Sequence, residues 1–145
     1  MKLFQRLYNM VWLSVATLMV FPRWFGKWSA IVHVGVGLAL LVLARANVKH
    51  LSALPVPERV LRIAKAVVAT TTLVAVIGVI FGGLKHYPGI PEWAGAVAGG
   101  FHVFIGLAIL SQSSSLATAY DMWEEKEIGP AAAAAPTAPT APPAT

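Results

Sequence analysis

Two histidines carry the chemistry legible in this chain. His33 opens the run His33-Val-Gly-Val-Gly-Leu-Ala-Leu-Leu41, and the pattern returns 69 positions later as His102-Val-Phe-Ile-Gly-Leu-Ala-Ile-Leu110. The copies share His, Val, Gly, Leu, Ala and Leu in register. At the same offset Pro22 pairs with Pro91, Trp24 with Trp93 and Gly26 with Gly95. The pattern reads as an internal duplication. Both copies lie in apolar runs long enough to cross a bilayer, where an ionisable side chain is costly and usually marks function. The chain has no cysteine, which excludes disulfides, iron–sulfur clusters and thiolate chemistry and leaves His, Met and carboxylates as ligands. Metal coordination by the histidine pair is therefore the chemistry to test.

The elements that must position this pair are membrane elements. Hydrophobic residues make up 57% of the chain and charged ones only 12%, against roughly 25% charged in an average soluble domain. A first segment, Leu3 to Phe21, follows Lys2 and Arg6. It has a signal-like character with Ser14-Val15-Ala16 as a weak cleavage site, but the duplication requires it as the partner of the first His-bearing helix. Pro22 and Pro91 stand where a proline is tolerated at a helix start. The second helix is expected from there to about Ala46, and the fourth to about Leu110 before a polar extension. Ala46 to Pro57 reads as an interfacial loop. Glu58 to Lys65 reads as an amphipathic lead-in to a third helix over about Ala66 to Leu84, with the small-residue spacing Gly78 and Gly82.

The expected fold is all-α: a membrane four-helix bundle built from a tandemly duplicated helix pair, with repeats over about residues 3–50 and 58–120 inside a transmembrane domain of residues 1–127. Residues 128–145 form an Ala/Pro/Thr tail that cannot bury enough apolar surface to fold.

With four crossings, Lys2, Arg6, Arg45, Lys49, Arg59, Arg62, Lys65 and Lys126 fall on one side, and Arg23, Lys27 and Lys85 on the other, which accounts for all 11 basic residues. Eight against three places both termini in the cytoplasm of a multi-pass protein of a bacterial-type inner or plasma membrane. Trp24, Trp28, Tyr87 and Trp93 then form an outer aromatic belt, and Tyr8, Tyr120 and Trp123 an inner one. The basic residues flank apolar spans and form no stripe interleaved with aromatics, so no nucleic-acid partner is expected.

A helix pair repeated in tandem keeps its orientation, so the two His-bearing helices run parallel about an axis along the membrane normal. From Trp24 to His33, and from Trp93 to His102, is nine residues, about 13 Å of depth. Equal depth on parallel helices suits a single planar macrocycle approached by one imidazole from each face, and haem iron held by two histidines fits best. The positions four residues either side of each histidine are small: Ser29 and Gly37 about His33, Ala98 and Gly106 about His102. They share the histidine's face, where large side chains would exclude a flat ring.

The His-xxx-Gly-Leu pattern near the start of a transmembrane helix, His33 to Leu38 and His102 to Leu107, resembles the haem-bearing helices of small four-helix b-type membrane cytochromes. The resemblance covers the second and fourth helices. It implies a bis-histidine haem b and electron passage between quinol and a redox partner, although no quinone site can be carried over residue by residue.

The expected function is thus that of a membrane electron-transfer subunit binding one haem b through His33 and His102, at most an electron-transfer component of an oxidoreductase. Partners are the lipid bilayer and other membrane-complex subunits, with a quinone as a candidate. One alternative is a cofactor-free accessory or assembly subunit, since small residues also let bare helices pack and a histidine can bond between helices. Another is a pigment protein with each histidine on a chlorin magnesium. No Asp, Glu, Lys or Arg lies deep in a span, which disfavours ion-coupled transport. No nucleophile with a base, Gly-rich phosphate loop or paired carboxylate is present, which disfavours hydrolysis and phosphoryl transfer. His50 and His86 read as interfacial, and His86 with Glu92 supplies only two ligands for a metal.

Overall fold

The computed structural model describes residues 2–19, 28–84 and 89–127. Four helices follow one another: α1 (Leu3–Met19), α2 (Ser29–Leu51), α3 (Glu58–Leu84) and α4 (Glu92–Glu127). Among the described residues there is no strand. α2, α3 and α4 are each long and apolar enough to cross a membrane. The 23 residues of α2 span about 35 Å at 1.5 Å per residue, against a hydrocarbon core of about 30 Å.

The helix ends differ from expectation in two places. α2 does not stop near Ala46 but runs to Leu51, because Leu51 is a core residue with no exposed surface, and the Ser52 N–H still donates to the Val48 carbonyl at 2.9 Å. The connection to α3 is therefore only residues 52–57. The segment Glu58 to Lys65 is not a separate lead-in either. It is the first part of one continuous α3, started after Pro57, whose carbonyl accepts from the Val60 N–H at 2.9 Å. α4 begins directly after Pro91, whose carbonyl accepts from the Ala94 N–H at 3.0 Å, and it continues without a break from the apolar span into the polar extension. Pro22, Trp24 and Gly26, the basic residues Arg23, Lys27 and Lys85, His86 and Tyr87, and the tail all lie outside the described residues.

Each helix touches two others: α1 packs against α2 and α4, and α3 against α2 and α4. The pairs α1/α3 and α2/α4 are thus the diagonals of a four-helix square. Met10 on α1 meets Asn47 on α2, and Ser14 on α1 meets Ser113 on α4. Beyond that pair, Leu18 reaches Gly106, so α1 and α4 run antiparallel.

The core is built on one spacing. Its seam positions are Leu3, Leu7, Met10 and Ser14 on α1; Leu40, Ala44, Asn47 and Leu51 on α2; Val60, Ala64, Val67 and Thr71 on α3; and Ile109, Ser113, Leu116 and Tyr120 on α4, while Ser29 and Ala117 are buried beside it. All four sets step by four, three and four residues, the heptad seam of a left-handed bundle. The α1 set maps on the α3 set by adding 57 to each number, and the α2 set on the α4 set by adding 69. Outside this seam the helices present large apolar side chains: Trp12, Val42, Val79 and Phe104 are each at least two-thirds exposed. An apolar exterior of this extent is consistent with a membrane protein.

Tyr120 departs from the expected aromatic belt. It is buried, 4% exposed, because it occupies the α4 seam position that Leu51 occupies on α2. Its ring packs against Trp123 with centroids 5.6 Å apart. Tyr8 and Trp28 are exposed as a belt requires.

Candidate functional site

Continuing the heptad step beyond the last buried residues leads to the histidines. On α2 the seam passes from Leu40 to Gly37 and His33; on α4 it passes from Ile109 to Gly106 and His102; on α3 it passes from Thr71 to Val74 and Gly78. Both histidines are therefore core positions by register, on the diagonal helices, seven residues or about 10 Å beyond Leu40 and Ile109. The structure brings them together across the bundle axis: the two Nε2 atoms are 3.5 Å apart, with ring centroids at 5.7 Å and ring planes tilted by 47°. No backbone contact joins α2 to α4. The imidazoles bridge the diagonal at this level.

Below the histidines the seam positions carry side chains; at their level three of them are glycine. Where large apolar residues would normally fill heptad positions, this end carries Gly37, Gly78 and Gly106. The three glycines are not equivalent. A Cβ on Gly37 would meet nothing within 4 Å, whereas one on Gly106 would lie 2.9 Å from Cδ2 of Leu18 and one on Gly78 would lie 3.2 Å from Cε1 of His102. Space thus lies open on the α2 side, while Leu18 covers Gly106 with the far end of a flexible side chain, and Gly78 gives the His102 ring its seat on α3.

The remaining sequence-derived site residues fall near this point. Ser29, one turn before His33, is buried, and Ala98, one turn before His102, is half-buried. Two contributors were not expected from the sequence, Gly78 and Leu18. Gly78 had a signal in its small-residue spacing with Gly82; Leu18 had none until its register against α4 was known. His102 Nδ1 is buried and without a hydrogen-bond partner. His50 is exposed at the far end of α2, away from the pair.

Two nitrogens held by one metal stand about 4 Å apart, at about 2 Å each. The observed 3.5 Å is slightly shorter than that. Among the described residues no group of three or more His, Cys, Asp or Glu gathers to hold a metal ion. Two imidazoles suit a metal whose other ligands arrive with it, as they do in a tetrapyrrole. Two nitrogen donors and the open space beside Gly37 suit such a group, while Leu18 occupies the matching space beside Gly106. No protein-family model, curated protein or solved structure matches the chain.

Proposed function

We propose that the protein is a membrane electron-transfer subunit that holds one b-type haem between His33 and His102. The observation that carries this reading is the approach of the two Nε2 atoms to 3.5 Å from diagonal helices, at a level where the seam changes from bulky residues to glycine. His33 and His102 would hold the group through their imidazoles, Gly37 and Gly106 would keep bulky side chains off the adjoining turn of each helix, and Ser29 and Ala98 would flank the site one turn away. Gly78 holds the His102 ring in its orientation. The group when bound supplies one-electron redox chemistry at its iron, with a quinone as a candidate exchange partner.

The same reading takes the chain as a tandem duplication of a helix pair. Two kinds of match support it: the residue identities at the 69-residue offset, and the burial pattern that repeats along α1/α3 and α2/α4. The distribution of basic residues supports both termini in the cytoplasm of a bacterial-type inner or plasma membrane.

One observation favours a cofactor-free accessory subunit instead. At 3.5 Å the imidazoles are within hydrogen-bonding reach of each other, and Leu18 already occupies the space beside Gly106. Reduced-minus-oxidised absorbance of protein purified from haem-replete cells separates the two. The haem reading expects b-type bands in the wild type, lost or weakened to a similar degree in His33→Ala and His102→Ala. A wild type without such bands sinks it and leaves the accessory subunit.

A further inference from the structure

A second site lies at the opposite end of the bundle, in the groove between α2 and α3. It is a cleft of about 160 Å³ lined by Arg45, Val48, Lys65 and Val68. Arg45 and Val48 are three apart on α2, and Lys65 and Val68 are three apart on α3, so each helix gives the groove one cation and one valine from a single face. Both cations are exposed, and neither is ion-paired among the described residues. Two cations facing one cleft repel each other unless an anion lies between them.

Depth identifies the kind of anion. From the exposed Trp28 to Arg45 is 17 residues, about 26 Å along α2, close to the thickness of a hydrocarbon core. Arg45 and Lys65 therefore sit at the headgroup level of the leaflet opposite Trp28. A free anion would use the cations and leave Val68 unused; an amphiphile uses the cations and Val68 together. We propose that this groove binds one anionic phospholipid, with Arg45 and Lys65 on its phosphate and Val68, one turn deeper along α3, against its glycerol and upper acyl chain.

The bundle contains its own control. Subtracting 57 carries Lys65 and Val68 to Tyr8 and Val11, and adding 69 carries Arg45 and Val48 to Ser114 and Ala117. The matching positions between α1 and α4 hold neither cation: Val11 keeps the valine, and Val48 is matched by the buried Ala117. One lipid per chain follows. The site is independent of the histidine pair and requires only that the protein lie in a membrane.

The test is native mass spectrometry of the full chain released from mixed phosphatidylglycerol and phosphatidylcholine bilayers. The wild type is expected to retain one phosphatidylglycerol in preference to phosphatidylcholine. The double variant Arg45→Ala/Lys65→Ala should lose about 30-fold of that preference, which is ~1 kcal/mol for each cation at a membrane surface. The charge-conserving Arg45→Lys/Lys65→Arg variant keeps the lipid, and so does Tyr8→Ala/Ser114→Ala, which shows that loss is not a folding effect. Equal retention of both lipids, equal retention by wild type and the double alanine variant, or loss of the lipid from Tyr8→Ala/Ser114→Ala overturns the proposal. Displacement of the adduct by millimolar inorganic phosphate overturns it too, by making the ligand free phosphate.

Discussion

Gly37→Ala and Gly106→Ala make the same chemical change at matching positions, and the structure expects them to behave differently. In a helix interior, Ala is favoured over Gly by about 1 kcal/mol on peptide scales. At Gly37 the new methyl meets nothing within 4 Å, so the ligand-free protein keeps that gain. At Gly106 it lies 2.9 Å from Leu18 Cδ2, and Leu18 must leave its present rotamer. An off-rotamer side chain costs about 0.5–1.5 kcal/mol, which cancels the helix term. The pair should thus be separated by about 1 kcal/mol, or about 3–4 °C in unfolding midpoint for a chain of this length. Circular dichroism of the haem-free protein in mild detergent, scanned with temperature, measures it. Haem-loaded protein supplies the second arm: the Gly37 methyl enters the space assigned to the macrocycle, so Gly37→Ala should raise ligand-free stability while lowering haem occupancy. A Gly37→Ala protein that unfolds below the wild type when ligand-free would refute the reasoning, since the open space would not exist.

Asn47 is fully buried, its Oδ1 has no partner and its amide reaches only Met10 Sδ at 3.7 Å, while the matching α4 position is Leu116. Asn47→Leu should therefore raise stability by about 1–3 kcal/mol, the cost of a buried unsatisfied group, and a fall of that size in the unfolding midpoint would mean that the amide has an essential partner. Gly78→Ala places a methyl 3.2 Å from His102 Cε1. It should turn that ring and reduce haem occupancy with little change in helix content, and a spectrum identical to wild type would remove Gly78 from the site. Reporter fusions after residue 145 and between Pro88 and Gly89 should report cytoplasmic and external locations respectively. An external C terminus would reverse the orientation or change the number of crossings.

The histidine pair was legible from the sequence because the residue matches at the 69-residue offset gave both histidines the same depth and direction without any knowledge of packing. The seam that brings the rings together was harder to read. In a soluble bundle the buried stripe stands out against polar faces, but here Val42, Val79 and Phe104 are as apolar as Leu40 and Val67, and they point outward. Lipid and core make the same demand on a side chain, so hydrophobic period carries little information within the spans. It returns only where the helices leave the apolar zone, as at Glu58 to Lys65. There Val60 and Ala64 are buried between exposed Arg59, Arg62 and Lys65, and an apparent amphipathic lead-in is the first two turns of α3. Polar residues misled for the same reason. Lys49 and His50 looked like a loop although they are the outer face of α2's last turn, and Asn47, two residues earlier, faces the core.

Once the seam is known, the differences between its matching positions on α1/α3 and α2/α4 become informative. Leu18 on α1 covers Gly106; adding 57 gives its counterpart on α3 as Ala75, three methyl-sized groups smaller, and Gly37 is left uncovered. Asn47 stands opposite Leu116, and the cations Arg45 and Lys65 stand opposite Ser114 and Tyr8. Within the seam the identical positions are the two histidines and the glycine one turn beyond each; outside it Val34, Leu38, Ala39 and Leu41 match Val103, Leu107, Ala108 and Leu110 too. A heptad seam tolerates Leu, Ala, Asn and Ser in its layers, yet two imidazoles that must reach one point from diagonal helices can neither shift in register nor accept a bulky residue on the adjoining turn.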